Sequence, residues 1–269
     1  MNERALVRQL AKHSPRIGDD CAIIPHGRED LLVTTDQYIE DIHFRPTTHS
    51  AADVGWNAVA RGLSDIAAMG GEARHVFVSL ALPPWAEQRW ANNFFRGVRA
   101  HGVELAGGDL GHAPQIYCDV TVIGVCPHGK ALRRDGAPVG DHIYVTGPLG
   151  KPRKRFLPRL EIGLTLRGVA SACMDLSDGL SLDLARLCEA SGVGAELDHI
   201  PVARGATLAT ALHGGEDYEL LFTSQRELPH FRVGQIVARR GVRLNGRTLK
   251  PQGYDHFQQH ATAERSSTS

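Results

Sequence analysis

Acidic residues that stand beside turns and strand ends are the residues of this sequence best suited to chemistry. No Cys-x-x-Cys pair and no paired histidines accompany them. Carboxylate oxygens without such partners favour a hard cation such as Mg²⁺, which proteins normally use together with phosphate groups. The sequence therefore predicts metal-assisted phosphoryl chemistry, with candidate acids at Asp19, Asp20, Asp36, Asp65, Asp109, Asp175, Asp178, Glu216 and Asp217.

Each of these acids also has a structural explanation. Asp36 can end a strand, Asp109 can serve a glycine turn, and Asp178 can cap the helix that follows it. Asp65 fits such an explanation least, because it lies in the last turn of a predicted helix, where the helix dipole disfavours a carboxylate. A bound cation would remove that conflict.

One predicted helix start and two absent loop motifs limit how the protein could bind a phosphate. The helix that begins near Asp178 is predicted to offer free backbone N–H groups to a phosphate oxygen. The sequence contains neither a Gly-x-x-x-x-Gly-Lys-Ser/Thr loop nor a kinase-type glycine-rich loop. P-loop and protein-kinase mechanisms are therefore excluded at the level of motifs.

Composition narrows the class of protein further. The 269 residues carry 30 basic and 30 acidic side chains, so no net charge attracts a nucleic acid. No run of about 18 apolar residues occurs and no apolar signal segment follows Met1, so neither a membrane span nor export is expected. The five cysteines show no disulfide or metal spacing, which predicts a cytoplasmic location.

Strand and helix patterns alternate along the chain, which predicts an α/β fold with mixed (α+β) sheets. Helices are predicted at 3–11, 51–69 and 85–100, and a further one carries the apolar stripe Leu180, Leu184 and Leu187. Strands are predicted at 31–35, 76–82, 116–125, 142–146, 219–223 and 235–238, and Asn245-Gly246 predicts a hairpin turn. Turn formers at 127–140 predict an N-terminal domain (1–130), a C-terminal domain (131–262) and a disordered tail (263–269).

Six motifs cover nearly the whole chain in a fixed order. They are Ile-Gly-Asp-Asp-Cys-Ala (17–22), Thr-Thr-Asp (34–36) followed by Glu-Asp-Ile-His-Phe (40–44), Leu-Ser-Asp-Ile-Ala-Ala-Met-Gly (63–70), Gly-Gly-Asp (107–109), Asp-Leu-Ser-Asp-Gly-Leu (175–180) and Gly-Gly-Glu-Asp-Tyr-Glu-Leu (214–220). Together they resemble the thiamine-monophosphate kinase family of the aminoimidazole ribonucleotide synthetase-like superfamily. The superfamily shares Gly-Asp-Asp and Gly-Gly-Asp, whereas the motif at 214–220 is more specific to the kinase.

The resemblance implies a fold, an activity and a set of site residues. The fold would have two domains, and the N-terminal one would form a dimeric β-barrel in a homodimer. The activity would be Mg²⁺-dependent transfer of the ATP γ-phosphoryl group to thiamine monophosphate, giving thiamine diphosphate and ADP. The implied ligands of several Mg²⁺ ions are Asp20, Thr34, Thr35, Asp36, Asp65, Asp109, Asp175 and Asp178. The implied ATP contacts are Gly108, Asp109, Arg134 and Ser177, the implied substrate contacts are His43 and Glu216, and the implied catalytic acids are Asp36, Asp109 and Asp175.

The sequence departs from the family pattern at three places. Leu110-Gly111-His112 stands where the family has a hydroxyl pair, and the segment 151–173 is short and begins with a basic stretch. Pro251 aligns with an aromatic that flanks the substrate, for which Tyr254 or Phe257 could substitute. Two alternatives therefore stay open: a catalytically silent sensor of nucleotide or thiamine phosphate, and another ATP-using member of the superfamily.

Overall fold

The computed structural model describes residues 3–14 and 16–254, and these form two mixed β-sheets with six helices. The first sheet contains β1 (Ala22–His26), β2 (Glu29–Ile39), β3 (Glu72–Leu82), β4 (Glu104–His112) and β5 (Tyr117–Pro127). Its strand order is β1-β2-β5-β3-β4, and of its pairs the β3–β4 pair is parallel. The sheet is open, with β1 at one edge and β4 at the other.

Helix α1 (Glu3–Ala11) precedes this sheet, and α2 (Ala51–Ala68) and α3 (Gln88–Arg99) pack against it. The two packed helices approach each other closely because each presents a glycine to the other's backbone. A Cβ atom at Gly55 would lie 2.1 Å from Phe94 O, and one at Gly97 would lie 2.2 Å from Ala52 O. This contact fixes α2, which carries Asp65.

The second sheet is built from the C-terminal half of the chain. Its strands are β6 (His142–Val145), β7 (Ala172–Asp175), β8 (Gly194–Leu197), β9 (Leu220–Ser224), β10 (Phe231–Val237), β11 (Gly241–Leu244) and β12 (Arg247–Thr248), and its helices are α4 (Leu160–Leu166), α5 (Leu180–Ser191) and α6 (Leu208–His213). The strand order is β12-β11-β8-β10-β6-β9-β7. Asn245 and Gly246 adopt φ angles of 50° and 76° between β11 and β12, so the predicted hairpin turn is confirmed.

The end of α2 packs against the second sheet as well as the first. Ala67 lies in one apolar cluster with Leu166 and Phe222. Ser64 Oγ donates a hydrogen bond of 2.7 Å to Asp175 at the end of β7. The acid of α2 and the acid of β7 are thereby brought face to face, while the division into domains at residue 130 stays a prediction.

Most predicted elements are present, and the differences have physical causes. The helix predicted from residue 85 begins at Gln88, and the strand predicted at 31–35 extends over Glu29–Ile39. Residues 104–112 form β4, although the Gly-Gly-Asp motif within them predicted a turn. Glycine has a low strand propensity, and the strand forms here because it pairs with β3. The short strands β1, β7 and β8 were not predicted, since four or five residues carry too little periodicity, and β10 begins four residues earlier than expected.

Two expectations drawn from composition can be compared with the structure. None of the helices in residues 3–14 and 16–254 has the length and apolar character needed to cross a membrane. All five cysteines are buried and free. The predicted tail at 263–269 lies outside the described residues.

Candidate functional site

Acidic residues from four separate segments meet in one cleft of about 700 Å³. Strand β2 contributes Asp36, helix α2 contributes Asp65, the end of β7 contributes Asp175, and the segment before β1 contributes Asp20. Carboxylate oxygens of Asp20, Asp65 and Asp175 lie within 4.8 Å of one another. We call these four residues the acid cluster.

The Thr-Thr-Asp motif of β2 lines the same cleft. Thr34 Oγ1 donates to Asp65 Oδ2 at 2.5 Å, which orients one acid of the cluster. Successive side chains of a strand point to opposite faces, and the hydroxyl of Thr35 donates instead to Asp119 at 2.8 Å. The side chain of Thr34 therefore lies on the same face of β2 as Asp36 and contacts the acid cluster. The side chain of Thr35 is bound by Asp119, which does not belong to the cluster.

The electrostatics of the cleft favour a bound cation. Burial is the main cause that raises the pKa of Asp36, Asp65 and Asp175, and neighbouring carboxylates raise it further. Burial and a neighbouring carboxylate raise the pKa of Asp19 to about 6, against the opposing effect of Arg134. Carboxyl groups in such surroundings resist ionisation until a positive charge is added.

The donor atoms fit Mg²⁺. Asp20 Oδ2 and Asp36 Oδ2 are buried and have no hydrogen-bond partner within the part of the chain that the structure describes. Unshared carboxylate oxygens of this kind are the ligands that Mg²⁺ prefers. Arg134 forms ion pairs with Asp19 and Asp20 and so covers one side of the cluster.

The start of α5 differs from the prediction. Asp183 Oδ2 accepts the backbone N–H of Asp178 at 3.0 Å and that of Gly179 at 3.1 Å. Arg186 donates to both carboxylates, at 2.5 Å to Asp178 and 2.8 Å to Asp183. The prediction of free N–H groups at these two positions is wrong, because an acid one turn into the helix folds back over them. The side chains of Ser177 and Asp178 line the cleft nonetheless.

A second cavity, of about 380 Å³, contains both His43 and Glu216. Nδ1 of His43 accepts the backbone N–H of Ile39 at 3.0 Å, so the proton of the neutral ring lies on Nε2. Glu216 and Tyr218 adopt φ angles of 65° and 49°, a left-handed conformation that residues other than glycine seldom take. Backbone strain of this kind is concentrated at functional sites.

Backbone hydrogen bonds join this cavity to the acid cluster. The N–H of Glu216 donates to Ser177 O at 2.8 Å, and the N–H of Tyr218 donates to Leu176 O at 2.9 Å. A cavity of about 180 Å³ lies where the two regions meet, and it is lined by Asp36, Arg61, Asp65, Asp175, Ser177, Asp178 and Tyr218. The site therefore has an acidic end, formed by the acid cluster, and an aromatic end, the cavity of His43 and Glu216, which is also lined by Tyr38, Phe156 and Tyr218.

Gly108 and Asp109 are the predicted residues that the structure does not bring to the acid cluster. They lie on the edge strand β4, and the pairing register runs from Asp36 through Val120 and Val78 to Gly108. Three strand spacings amount to about 14 Å, and Asp109 does not line the cleft. A Cβ atom at Gly108 would lie 1.8 Å from Val78 O, so the glycine is required by packing.

Sequence reasoning missed residues of the aromatic end. Tyr218 was visible within the motif at 214–220, but Arg61 and Tyr38 had no signal, because lone basic and aromatic residues on a helix or strand are common. Tyr254 is one of the two residues that could replace the aromatic expected at Pro251, and it lines a cavity of about 220 Å³ together with Glu216. Phe257, the other candidate, lies outside the described residues.

Fold and site together define a class of protein. Residues 18–126 match the family model "AIR synthase related protein, N-terminal domain". The structure of E. coli HypE, a hydrogenase maturation protein, has the same fold, with a TM-score of 0.70 at 20% identity over 83% of this chain and 87% of that one. Residues 18–126 are therefore similar to AIR synthase related proteins, and the chain shares the fold of HypE.

More similar relatives identify the family within that class. The thiamine-monophosphate kinase of Salmonella typhimurium is 34% identical over 90% of this chain and 91% of its own, and that of Aquifex aeolicus is 31% identical over 96% and 98%. The structure "AaThiL complexed with AMPPCP and TMP" has a TM-score of 0.89 at 29% identity, covering 95% of this chain and 97% of that one. The chain belongs to the thiamine-monophosphate kinase family, as its motifs predicted.

Proposed function

We propose that this protein is a thiamine-monophosphate kinase, which transfers the γ-phosphoryl group of ATP to thiamine monophosphate and forms thiamine diphosphate and ADP. The observation that carries the proposal is the small cavity where the acid cluster meets the cavity of His43 and Glu216. A phosphate donor at the acidic end and a phosphate acceptor at the aromatic end would meet there. The complex of a related protein with AMPPCP, an analogue of ATP, and TMP supports this assignment.

The chemistry makes modest demands on the protein. The acceptor is a phosphate that is already ionised near neutral pH, so no strong general base and no activated nucleophile are needed. Positioning and charge neutralisation carry phosphoryl transfer of this kind. In our proposal Mg²⁺ supplies the neutralising charge and is held by the side chains of Asp20, Thr34, Asp36, Asp65, Asp175 and Asp178. Thr35, whose hydroxyl is bound to Asp119, lines the same cleft and completes the proposed set.

The protein's own residues orient the two substrates. We assign Arg134 and Ser177 to ATP, because both line the acidic cleft. We assign His43 and Glu216 to thiamine monophosphate. Burial raises the pKa of Glu216, while Arg61 opposes the shift. A positively charged neighbour stabilises such a carboxylate, so Glu216 suits the cationic thiazolium or the aminopyrimidine of the substrate.

A homodimer would explain the position of Asp109. Strand β4 is an open edge whose side chains are almost all exposed, and Leu110 on it is 69% exposed. Unpaired strand edges are surfaces at which sheets of two chains can join. We propose that the N-terminal sheets of two copies form a barrel, and that Gly108 and Asp109 act in the site of the other copy.

A mixing experiment tests this arrangement. Asp36→Asn and Asp109→Asn are each expected to abolish turnover. If Asp109 acts across the dimer, a mixture of the two variants after subunit exchange regains about one quarter of the wild-type rate, because half the dimers are mixed and each of these has one intact site. No recovery despite demonstrated exchange would contradict action across the dimer.

The direct test of function is a product assay. The purified chain is incubated with ATP, Mg²⁺ and thiamine monophosphate, and thiamine diphosphate is measured against a metal-free control. We expect product only with the metal. Ligand binding without product would refute the kinase and favour the sensor.

The role of Glu216 is tested by the Glu216→Gln variant. This variant should bind thiamine monophosphate more weakly, and an unchanged affinity in an active variant would refute the role. A cytoplasmic site of action is also part of the proposal and rests on the free cysteines.

A further inference from the structure

Arg61 occupies the junction of the site. It lies on α2 and lines the 380 Å³ cavity of His43 and Glu216, the 220 Å³ cavity of Tyr254, and the 180 Å³ cavity of the acid cluster. Arg61 therefore borders both the acidic end and the aromatic end of the site.

Two aromatic rings hold the guanidinium in place. Its Cζ lies 5.6 Å from the ring centroid of Tyr38 and 5.5 Å from that of Tyr218, distances typical of cation–π contacts. Phe156 stacks on Tyr218, with centroids 3.8 Å apart and planes inclined by 10°. The cation is thus part of a column of flat groups and has little freedom to turn.

The short basic segment 151–159 supports this column. Trp56 Nε1 donates to Phe156 O at 2.8 Å, and Asn57 Nδ2 donates to Lys154 O at 2.8 Å. Both donors lie on α2, one turn before Arg61. The segment that is shortened relative to the family therefore has a definite place in this chain, since it supports the ring that covers Arg61.

The guanidinium still has hydrogen-bonding capacity. Its side chain is only 14% exposed, and its nearest carboxylate oxygen, Glu216 Oε1, is 3.7 Å away, too far for a hydrogen bond. Nε is buried without a hydrogen-bond partner among residues 3–14 and 16–254. Because the guanidinium lines three cavities of the site, its unused hydrogen-bonding capacity suits an anionic ligand.

We infer that Arg61 binds the phosphate of thiamine monophosphate and holds it against the transferring phosphoryl group. The inference rests on the proposed function and adds a residue that none of the motifs contains. A planar guanidinium can bind a phosphate through two parallel hydrogen bonds, which fixes its orientation as well as its position. Arg61 would thus let the enzyme distinguish the phosphorylated substrate from thiamine.

Binding measurements on two ligands test this role. Wild type, Arg61→Met and Arg61→Lys are titrated with thiamine monophosphate and with thiamine, in the presence of Mg²⁺ and AMPPCP. We expect Arg61→Met to bind thiamine monophosphate ~10- to 100-fold more weakly, the loss of one or two charge-assisted hydrogen bonds. Thiamine affinity should stay within about twofold. Arg61→Lys should lose less, because a point charge remains without the paired geometry.

Arg155→Met is the matched control. Arg155 also stacks on an aromatic ring, with its Cζ 5.6 Å from the Trp56 centroid, but it lines none of the cavities of the site. This variant should lose stability without changing the ratio of the two affinities. The Arg61→Lys variant gives the answer on its own if Arg61→Met does not fold.

The outcomes separate the inference from the proposed function. A wild-type chain that forms no thiamine diphosphate overturns the proposed function and this inference with it. An active wild type, combined with Arg61 variants that bind both ligands equally weakly or bind both normally, overturns the inference alone. A selective loss for thiamine monophosphate supports it.

Discussion

Replacing Asp65 with asparagine tests whether the acid cluster exists to bind a cation. Asparagine keeps the shape of the side chain and an oxygen that can accept the hydrogen bond from Thr34, but it removes one negative charge. Two opposite effects are expected. The metal-free protein should become more stable, and the stabilisation by Mg²⁺ should become smaller.

The size of the first effect follows from the distances in the cluster. Oxygens within 4.8 Å of one another repel by about 3.5 kcal/mol or more for each ionised pair, at an effective dielectric constant near 20. Shared protons reduce this repulsion, so we expect Asp65→Asn to gain roughly 1 to 3 kcal/mol of unfolding free energy near pH 8 without metal. For a chain of this length, that is a rise of about 2 to 6 °C in melting temperature.

The sign of the pH dependence is fixed by the direction of the pKa shift. Burial, followed by neighbouring carboxylates, raises the pKa of Asp65 well above 3.8. Between the ordinary pKa of 3.8, which applies in the unfolded chain, and the raised pKa in the folded chain, the folded chain binds more protons than the unfolded one. The stability of the metal-free protein therefore falls as the pH rises through this window. The advantage of Asp65→Asn should therefore be smaller at about pH 4.5 than near pH 8.

Thermal unfolding with and without Mg²⁺ measures both effects. At Mg²⁺ concentrations near 100 times the dissociation constant, the wild type should gain about 2.7 kcal/mol, or about 5 °C, and the variant clearly less. Asp30→Asn is a control for which we expect the opposite effect, a loss of stability of the metal-free protein. Asp30 is 2% exposed but accepts hydrogen bonds from Gly129 N and His128, which lower its pKa against the effect of burial. A metal-free Asp65→Asn variant that loses stability as Asp30→Asn does would refute the reasoning.

Three further experiments test the packing of the fold. Gly108→Ala should disrupt the β3–β4 pairing, because its Cβ would lie 1.8 Å from Val78 O; we expect a lower melting temperature, and an unchanged one would contradict the packing. Arg159→Met removes the partner of Glu219, which is 3% exposed, and should cost ~3 to 5 kcal/mol in urea unfolding; adding Glu219→Gln should recover part of it. Burial raises the pKa of Cys21, so the native thiols should react slowly with a thiol reagent and the urea-unfolded ones fast; equal rates would refute their burial.

The motifs, through the family resemblance that they carry, grouped acids from distant parts of the chain. Asp20, Asp65 and Asp175 are separated by long stretches of chain, yet their oxygens lie within 4.8 Å. Periodicity predicted the long helix α2 and the strand β5, where many residues repeat one pattern. It did not predict β7 or β8, whose four residues are all or nearly all buried and carry no alternation.

Other features depended on contacts between distant segments. The backbone groups at the start of α5 look free in sequence, but Asp183 occupies them. Gly108 and Asp109 belong to a site motif, yet the strand order puts them about 14 Å from Asp36.

The sequence by itself determined the kind of chemistry and the family, because side-chain type and the order of motifs are properties of the chain. Only the tertiary structure decided which charges lack a partner, because burial and hydrogen bonding depend on what packs around each group. Arg61 illustrates the difference: in the sequence it is one of 30 basic residues, and in the fold its guanidinium lies between two rings at the junction of the site.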